Sequence, residues 1–222
     1  LRCPAQDVAH SDDWPATARE LIRVLRPGGV IVLAEINFGE PLIRKGVDLG
    51  MRIIVKKLIT GRTIEEALSN AREREARGYR FSFDMLGEAA LTAADADRYH
   101  AAYVHAIHAI GTAAAGAGAI AGPGISIKLS ALHPRYTALQ RTRVMQELLP
   151  RVTALAALAR GYQIGLNIDA EETDRLELSL DIFAALAADP ALAGWDGLGF
   201  VVQAYQRRAR DVLARQLGSL DG

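Results

Sequence analysis

The sequence predicts an α/β fold, a partial (β/α) barrel of about four strand–helix units preceded by helices. Three observations carry this. Short apolar runs recur between helical segments, at Phe81–Asp84, Ile125–Lys128, Ile164–Asp169 and Leu198–Gln203. The connections between them are long and helically periodic, which requires parallel pairing and right-handed crossovers. Each run also ends on or just before a polar residue, where parallel barrels gather their active-site groups. A closed eight-unit barrel takes about 250 residues. This chain has 222 residues and shows four such units after a helical lead-in, so about half a barrel is expected.

Composition narrows the class. Apolar residues make up 50% and charged residues 23%, the profile of an ordinary globular protein that can bury a core. Lys plus Arg equals Asp plus Glu, 26 each, so net charge gives no argument for a nucleic-acid partner. The single cysteine, Cys3, rules out an internal disulfide framework and fits a reducing compartment. No apolar run reaches the ~18 residues of a membrane helix. No basic-then-apolar leader opens the chain, so secretion is not indicated. Leu1 is not an initiator methionine, and the segment is expected to begin inside a larger reading frame.

In chain order, residues 13–35 read as helix, turn, strand. Trp14–Leu25 has helical spacing, Pro27-Gly28-Gly29 breaks it, and Val30–Leu33 is a β-branched run ending at Glu35. Residues 41–59 read as a helix opened by Pro41. Thr63-x-x-Glu66 is a capping box that starts a helix to about Ala76. Tyr79–Met85 is strand-like. Thr92-x-x-Asp95 caps a helix with the stripe Tyr99, Ala102, Tyr103, Ala106, Ile107 and Ile110, and a Gly/Ala loop is expected over 111–124. Ile125–Leu129 is the second strand. A helix follows over about 138–160, burying Val144, Leu148, Val152, Leu155 and Ala159, with a kink or restart at Pro150. Gln163–Ile168 is the third strand, followed by a helix from about Glu172 to Ala188. Gly199–Ala204 is the fourth, followed by a helix from about Arg207 to Leu217.

Several motifs have bland readings that prevail. Gly116-x-Gly118-x-x-Ala121 matches a relaxed dinucleotide fingerprint, but a helix precedes it and Pro123 follows, so it reads as a loop. His100, His105 and His108 share a helix, yet fall beside its apolar stripe, which favours solvated positions over metal ligation. Leu25–Glu35 looks like the late helix–strand segment of class I S-adenosylmethionine methyltransferases, without their glycine-rich cofactor loop. The rim residues Asp84, Glu88, Lys128, Asp169, Glu171, Glu172 and Gln203 differ in kind. Singly, each reads as a cap or a surface charge, and for Glu172 that reading is preferred. Together they set one cation among several carboxylates at one mouth, which favours a functional site over a structural network. Lys128 would need a partner, which Glu88 or Asp169 could supply.

The same segments resemble the proline dehydrogenase domain of bacterial bifunctional PutA proteins. Tyr79 to Asp95 (YRFSFDMLGEAALTAAD) resembles its first barrel strand, and Gly122 to Tyr136 (GPGISIKLSALHPRY) its second. Asn167 to Glu177 (NIDAEETDRLE) and Gly194 to Gln206 (GWDGLGFVVQAYQ) resemble the third and fourth, and Pro41–Asn70 the helical segment before the barrel. The domain reading is therefore 1–40 an unmatched lead-in, 41–78 the helical segment, and 79–222 the N-terminal half of the barrel.

The resemblance implies an FAD-dependent oxidation of L-proline to Δ1-pyrroline-5-carboxylate. Electrons would pass to a membrane quinone, in a cytoplasmic protein compatible with peripheral inner-membrane association and a homo-oligomer. Carried over by position, Lys128 and Asp169 are the catalytic candidates. Lys128 binds the substrate carboxylate, Asp169 stands beside substrate and flavin, and Glu88 is the acidic half of an ion-pair gate. Val201 and Gln203, with Asp169, contact the cofactor. No metal is implied. The family's DNA-binding and aldehyde dehydrogenase modules are not recognisable in this segment. The family's later FAD motif and paired arginines are not found after the fourth strand either, so a fragment, or a join of two reading frames, is expected. The alternatives are a non-catalytic remnant serving as an interaction module, and a methyltransferase fusion resting on residues 13–35.

Overall fold

The computed structural model describes residues 60–87 and 89–220. The elements expected over 13–35 and 41–59, and with them the methyltransferase-like segment, lie outside the described residues. The chain divides into two compact units, Leu1–Arg62 and Thr63–Gly222, and the four-stranded sheet belongs to the second.

Helix α1, Ile64–Glu75, begins where Thr63 Oγ1 accepts from the Glu66 backbone N–H at 3.3 Å. Glu65 and Glu66 in its first turn and Arg72 and Arg74 in its last complement the helix dipole. Strand β1 is Ser82–Asp84. Helix α2, Ala93–Ala114, carries a complete capping box: the Asp95 N–H donates to Thr92 Oγ1 at 3.1 Å, and the Thr92 N–H donates to Asp95 Oδ2 at 2.9 Å. Of its expected stripe, Tyr103, Ala106, Ile107 and Ile110 are buried.

This helix also runs into the stretch expected to be loop. Gly111 and the three residues after it stay helical, and the space where a Gly111 Cβ would stand is filled by the Tyr162 ring. The turn comes later, through Ala115 at φ 49° and the glycines Gly116 and Gly118 at φ 79° and 88°. The fingerprint-like glycines are loop, as the sequence implied.

Strand β2, Gly124–Ile127, leads into a one-turn helix α3, Leu129–Leu132, which the sequence did not announce. The helix expected over 138–160, with a kink or restart at Pro150, is three pieces. A 3₁₀ turn, Ala138–Gln140, precedes α4, Arg141–Glu147, and α5, Leu149–Gly161. Pro150 lies in the first turn of α5, where its missing N–H leaves nothing unpaired, so the helix restarts there. The predicted stripe Val144, Leu148, Val152, Leu155 and Ala159 is wholly buried across the break.

Strand β3, Gly165–Ile168, is followed by a 3₁₀ turn at Thr173–Arg175 and helix α6, Leu176–Ala187. After a further turn at Pro190–Leu192 come β4, Leu198–Phe200, and α7, Ala209–Leu220. The sheet order is β1-β2-β3-β4, all parallel. All four strands are shorter than the runs expected for them, and the second and fourth also stop before the expected carboxyl ends. Lys128 turns into α3, and beyond Phe200 the pairing goes on only through the Val201 N–H to the Ile168 carbonyl at 2.9 Å.

Alternation divides the sheet's faces. Phe83, Ile125, Ile127, Leu166 and Ile168 are buried on one face, and helices α2 and α5 pack with this core. On the other face Ser82 Oγ lies 3.0 Å from Ser126 Oγ, and Asn167 Nδ2 donates to Ser82 Oγ at 3.4 Å.

Gly111 is a place where helix propensity and packing oppose each other. Gly111→Ala gains up to about 1 kcal/mol of helix propensity. The overpacking against Tyr162 outweighs it, at about 1–3 kcal/mol. Thermal unfolding should show a net loss of stability, and a variant as stable as the parent contradicts this.

Candidate active site

The site forms where the polar face reaches the carboxyl ends of the strands. The register pairs Asp84 with Ser126 and Ser126 with Asn167. One alternation further along, Lys128 and Asp169 stand side by side, because the Asp169 N–H extends the ladder to the Ile127 carbonyl at 2.9 Å. Lys128 Nζ reaches Asp84 Oδ1 at 2.9 Å and Oδ2 at 3.0 Å, and Asp169 Oδ2 at 2.9 Å. Three successive strands thus hold one ammonium between two carboxylates. The Lys128, Asp84 and Asp169 side chains are 27%, 35% and 23% exposed, open to a ligand from one side. Lys128 is not within the strand, as the sequence suggested; it caps α3 in an extended conformation at φ −105°, ψ 127°.

Lys128 is also fixed from behind. Its backbone N–H donates to Tyr103 Oη at 3.0 Å, and Tyr103 is fully buried. Sequence reasoning placed Tyr103 in the apolar stripe and missed this contact. The available signal was a tyrosine on a buried face, since a buried phenol needs a hydrogen-bond partner.

Other rim residues join around the same mouth. Glu171 accepts from the Ser130 N–H at 3.0 Å and from Arg175 Nη1 at 3.1 Å. Glu172 is 66% exposed and pairs with Arg175 at 3.0 Å, in keeping with its surface reading. The Arg175 guanidinium lies 5.5 Å from the centre of the Tyr136 ring. Ser179 Oγ donates to the Arg175 carbonyl at 3.1 Å, which leaves it to accept from the Tyr136 hydroxyl at 2.5 Å. Burial pushes the Tyr136 phenol well above its ordinary pKa.

Lys128 and Gln203 line one open groove of about 880 Å³, with Tyr136, Glu171 and Arg175. Gln203 Oε1 accepts from the Gln206 side-chain amide. Val201 is 39% exposed, and Gly199, one alternation behind it, lies under the Asn167 side chain, which any Cβ at 199 would strike. Glu88 lies outside the described residues.

His133, which sequence reasoning also missed, is 3% exposed in the same groove wall. Its Nδ1 accepts from the Arg135 N–H at 3.1 Å, so Nε2 carries the proton donated to Glu147 at 3.1 Å. Bonds from Arg143, then His133, hold the Glu147 carboxyl below its usual range. The helical histidines are engaged away from the groove, His105 with Glu65 and His108 with the Tyr162 hydroxyl, each at 2.8 Å. Among the described residues, no group of three His, Cys, Asp or Glu side chains could hold a metal.

With this geometry in place, comparison with known proteins is decisive. The family described as "Proline dehydrogenase" matches residues 67–219. The chain belongs to the proline dehydrogenase family. Over 170 residues it is 64% identical to the bifunctional protein PutA of Escherichia coli strain K12, covering 77% of this chain and 13% of that protein. It is 62% identical over 175 residues to the PutA of Klebsiella aerogenes, 79% of this chain and 13% of the relative.

A crystal structure of bifunctional proline utilization A superposes with a TM-score of 0.67 at 38% identity, covering 98% of this chain and 26% of that one. The proline utilization A of Bdellovibrio bacteriovorus superposes at 0.73 with 22% identity over 80% of this chain and 20% of its own, a likeness of fold alone. The chain thus spans about 13% of the length of those curated relatives, and its parallel sheet with flanking helices is part of a barrel. Among the described residues no helix is long and apolar enough to cross a membrane.

The Tyr136–Ser179 contact yields a pH prediction. Because the folded phenol's pKa is raised, its contribution is fully present below the ordinary phenol value near 10 and is lost as pH rises beyond it. Tyr136→Phe should cost about 0.5–1.5 kcal/mol at neutral pH. It should also shrink the stability lost above pH ~10 in denaturant titrations. An unchanged alkaline limb would remove Tyr136 as its source.

Proposed function

We propose that this chain supplies the first half of an active site that oxidises L-proline to Δ1-pyrroline-5-carboxylate with bound FAD. The observation that carries the reading is the Lys128 ammonium held between Asp84 and Asp169 at the strand ends, in the groove that Gln203 also lines. On this reading residues 79–222 would be the N-terminal half of the barrel in the parent protein, 41–78 the segment before it, and 1–40 an unmatched lead-in.

The residues present fit a flavin. Val201 offers exposed apolar surface, Gln203 follows two residues on with a side-chain amide, and Gly199 keeps the strand bare where Asn167 crosses it. Val201 and Gln203 would hold the isoalloxazine, with Asp169 at its substrate end. When bound, the flavin supplies the two-electron acceptor for the hydride that leaves proline.

The chain's own residues bind and orient. Lys128 offers a point charge to the substrate carboxylate. Asp84, which brings both oxygens to Nζ, is the contact that carboxylate must share or displace. Asp169, anchored through its backbone N–H to β2, holds the ammonium through Oδ2 at 2.9 Å. Glu88, four residues after Asp84, would gate the mouth as half of an ion pair. A secondary amine bearing a carboxylate is a substrate these charges can hold by its anionic end, leaving the carbon to be oxidised free to face the flavin. Passage of electrons to a membrane quinone, peripheral membrane association from the cytoplasm and homo-oligomerisation belong to the same reading.

The test uses the full-length protein. Proline should bleach the flavin absorbance of the purified enzyme. Lys128→Ala should weaken proline binding by about 1.5–3 kcal/mol, the worth of a charge-assisted hydrogen bond. A protein that retains no flavin, or an unchanged affinity in the variant, removes this reading.

A further inference from the structure

Glu171 is a buried carboxylate to which the proposed reaction gives no part. Its side chain is only 7% exposed, and each oxygen has a donor, the Ser130 N–H at 3.0 Å and Arg175 Nη1 at 3.1 Å. Such a carboxylate is costly to bury unless its bonds do something in return. Where the bonds lead is informative. Ser130 lies two residues after Lys128, and Glu171 two residues after Asp169. The Ser130 carbonyl in turn accepts from the Ala90 N–H at 3.1 Å, on the loop that follows β1. Two residues beyond Lys128 and Asp169, the segments that follow β1, β2 and β3 are therefore tied together through Ser130.

The anchor is itself held by contacts. Arg175 is held over the Tyr136 ring, and Tyr136 and Ser179 are 4% and 3% exposed. The Lys128 N–H is fixed independently by Tyr103.

We propose that Glu171 is a positioning residue for Lys128. By gripping the Ser130 N–H it sets the spacing between the loops that carry Lys128 and Asp169, and so sets where the ammonium meets an incoming carboxylate. The inference rests on the carboxylate-binding reading of Lys128.

The test compares variants of the full-length enzyme. Glu171→Met should raise KM for proline about tenfold while kcat stays within about threefold, the pattern of lost ground-state binding. Glu171→Gln, which keeps an oxygen for the Ser130 N–H, should stay within about threefold of the parent KM. In a Lys128→Met background Glu171→Met should add less than about twofold, because the group it positions is gone. Amide exchange across residues 129–133 should accelerate in Glu171→Met.

Glu171→Asp keeps the charge beside Arg175 but draws the oxygens away from Ser130, and it carries the test where Glu171→Met does not fold. A KM rise of about fivefold that vanishes without Lys128 supports the proposal. A parental KM in Glu171→Met or Glu171→Asp, or an equal increase with and without Lys128, overturns it. If Lys128→Met alone leaves KM unchanged, the carboxylate-binding reading has failed. If Lys128→Met raises KM and the Glu171 variants do not, only the positioning role has failed.

Discussion

One ammonium shared by two carboxylates sets the geometry of this sheet's rim. Lys128 can reach both Asp84 and Asp169 only if three parallel strands are in register and the same parity of each points to the same face. A slip of one residue in any strand would send its charged end to the helix side, among Phe83, Ile125 and Leu166. Hydrophobic burial on one face and the ion trio on the other therefore specify the same register. Partial exposure matters to the balance. Full burial of the trio would carry a large desolvation penalty, whereas at roughly one-quarter to one-third exposure water still relieves it and a ligand can still enter.

Much of this was legible because it depends on short-range chemistry. Thr63-x-x-Glu66 and Thr92-x-x-Asp95 marked helix starts that the structure places at the following residue. The buried stripe across α4 and α5 could be read through Pro150, because a proline in a first turn interrupts the helix without rotating the buried face away. Asp169 was one of two partners expected for Lys128, with Glu88, and strand parity is the reason it stands beside the ammonium. Asp84 as the second carboxylate was among the rim residues but not expected as the partner, since that pairing depends on how far β1 is offset from β2.

What was not legible is tertiary. Gly111 was read as the start of a loop but lies inside α2, where the Tyr162 ring, 51 positions away, fills the space of a Cβ. Strand ends were overextended for a similar reason. Apolar composition continues past Phe200, but a strand lasts only while a neighbour offers a ladder. Tyr103 was read as part of an apolar stripe, and the His133 imidazole was not singled out. Their meaning comes from the backbone groups that arrive beside them, the Lys128 N–H and the Arg135 N–H.

The polar face also separates two architectures that share a βα rhythm. In an open doubly wound sheet, helices cover both faces and parallel strands are apolar on both. Here alternate residues of β1, β2 and β3 are Ser82, Ser126 and Asn167, linked to one another by hydrogen bonds. A second helix layer on that face would have to desolvate two hydroxyls and an amide with few partners of its own to offer. A curved sheet that turns this face inward, toward a ligand, meets no such penalty. The serines and the asparagine precede Lys128 and Asp169 on the same face, and Gly199 leaves room for the Asn167 side chain. The one-sided polarity of these strands is thus the local reason the sheet belongs to a barrel.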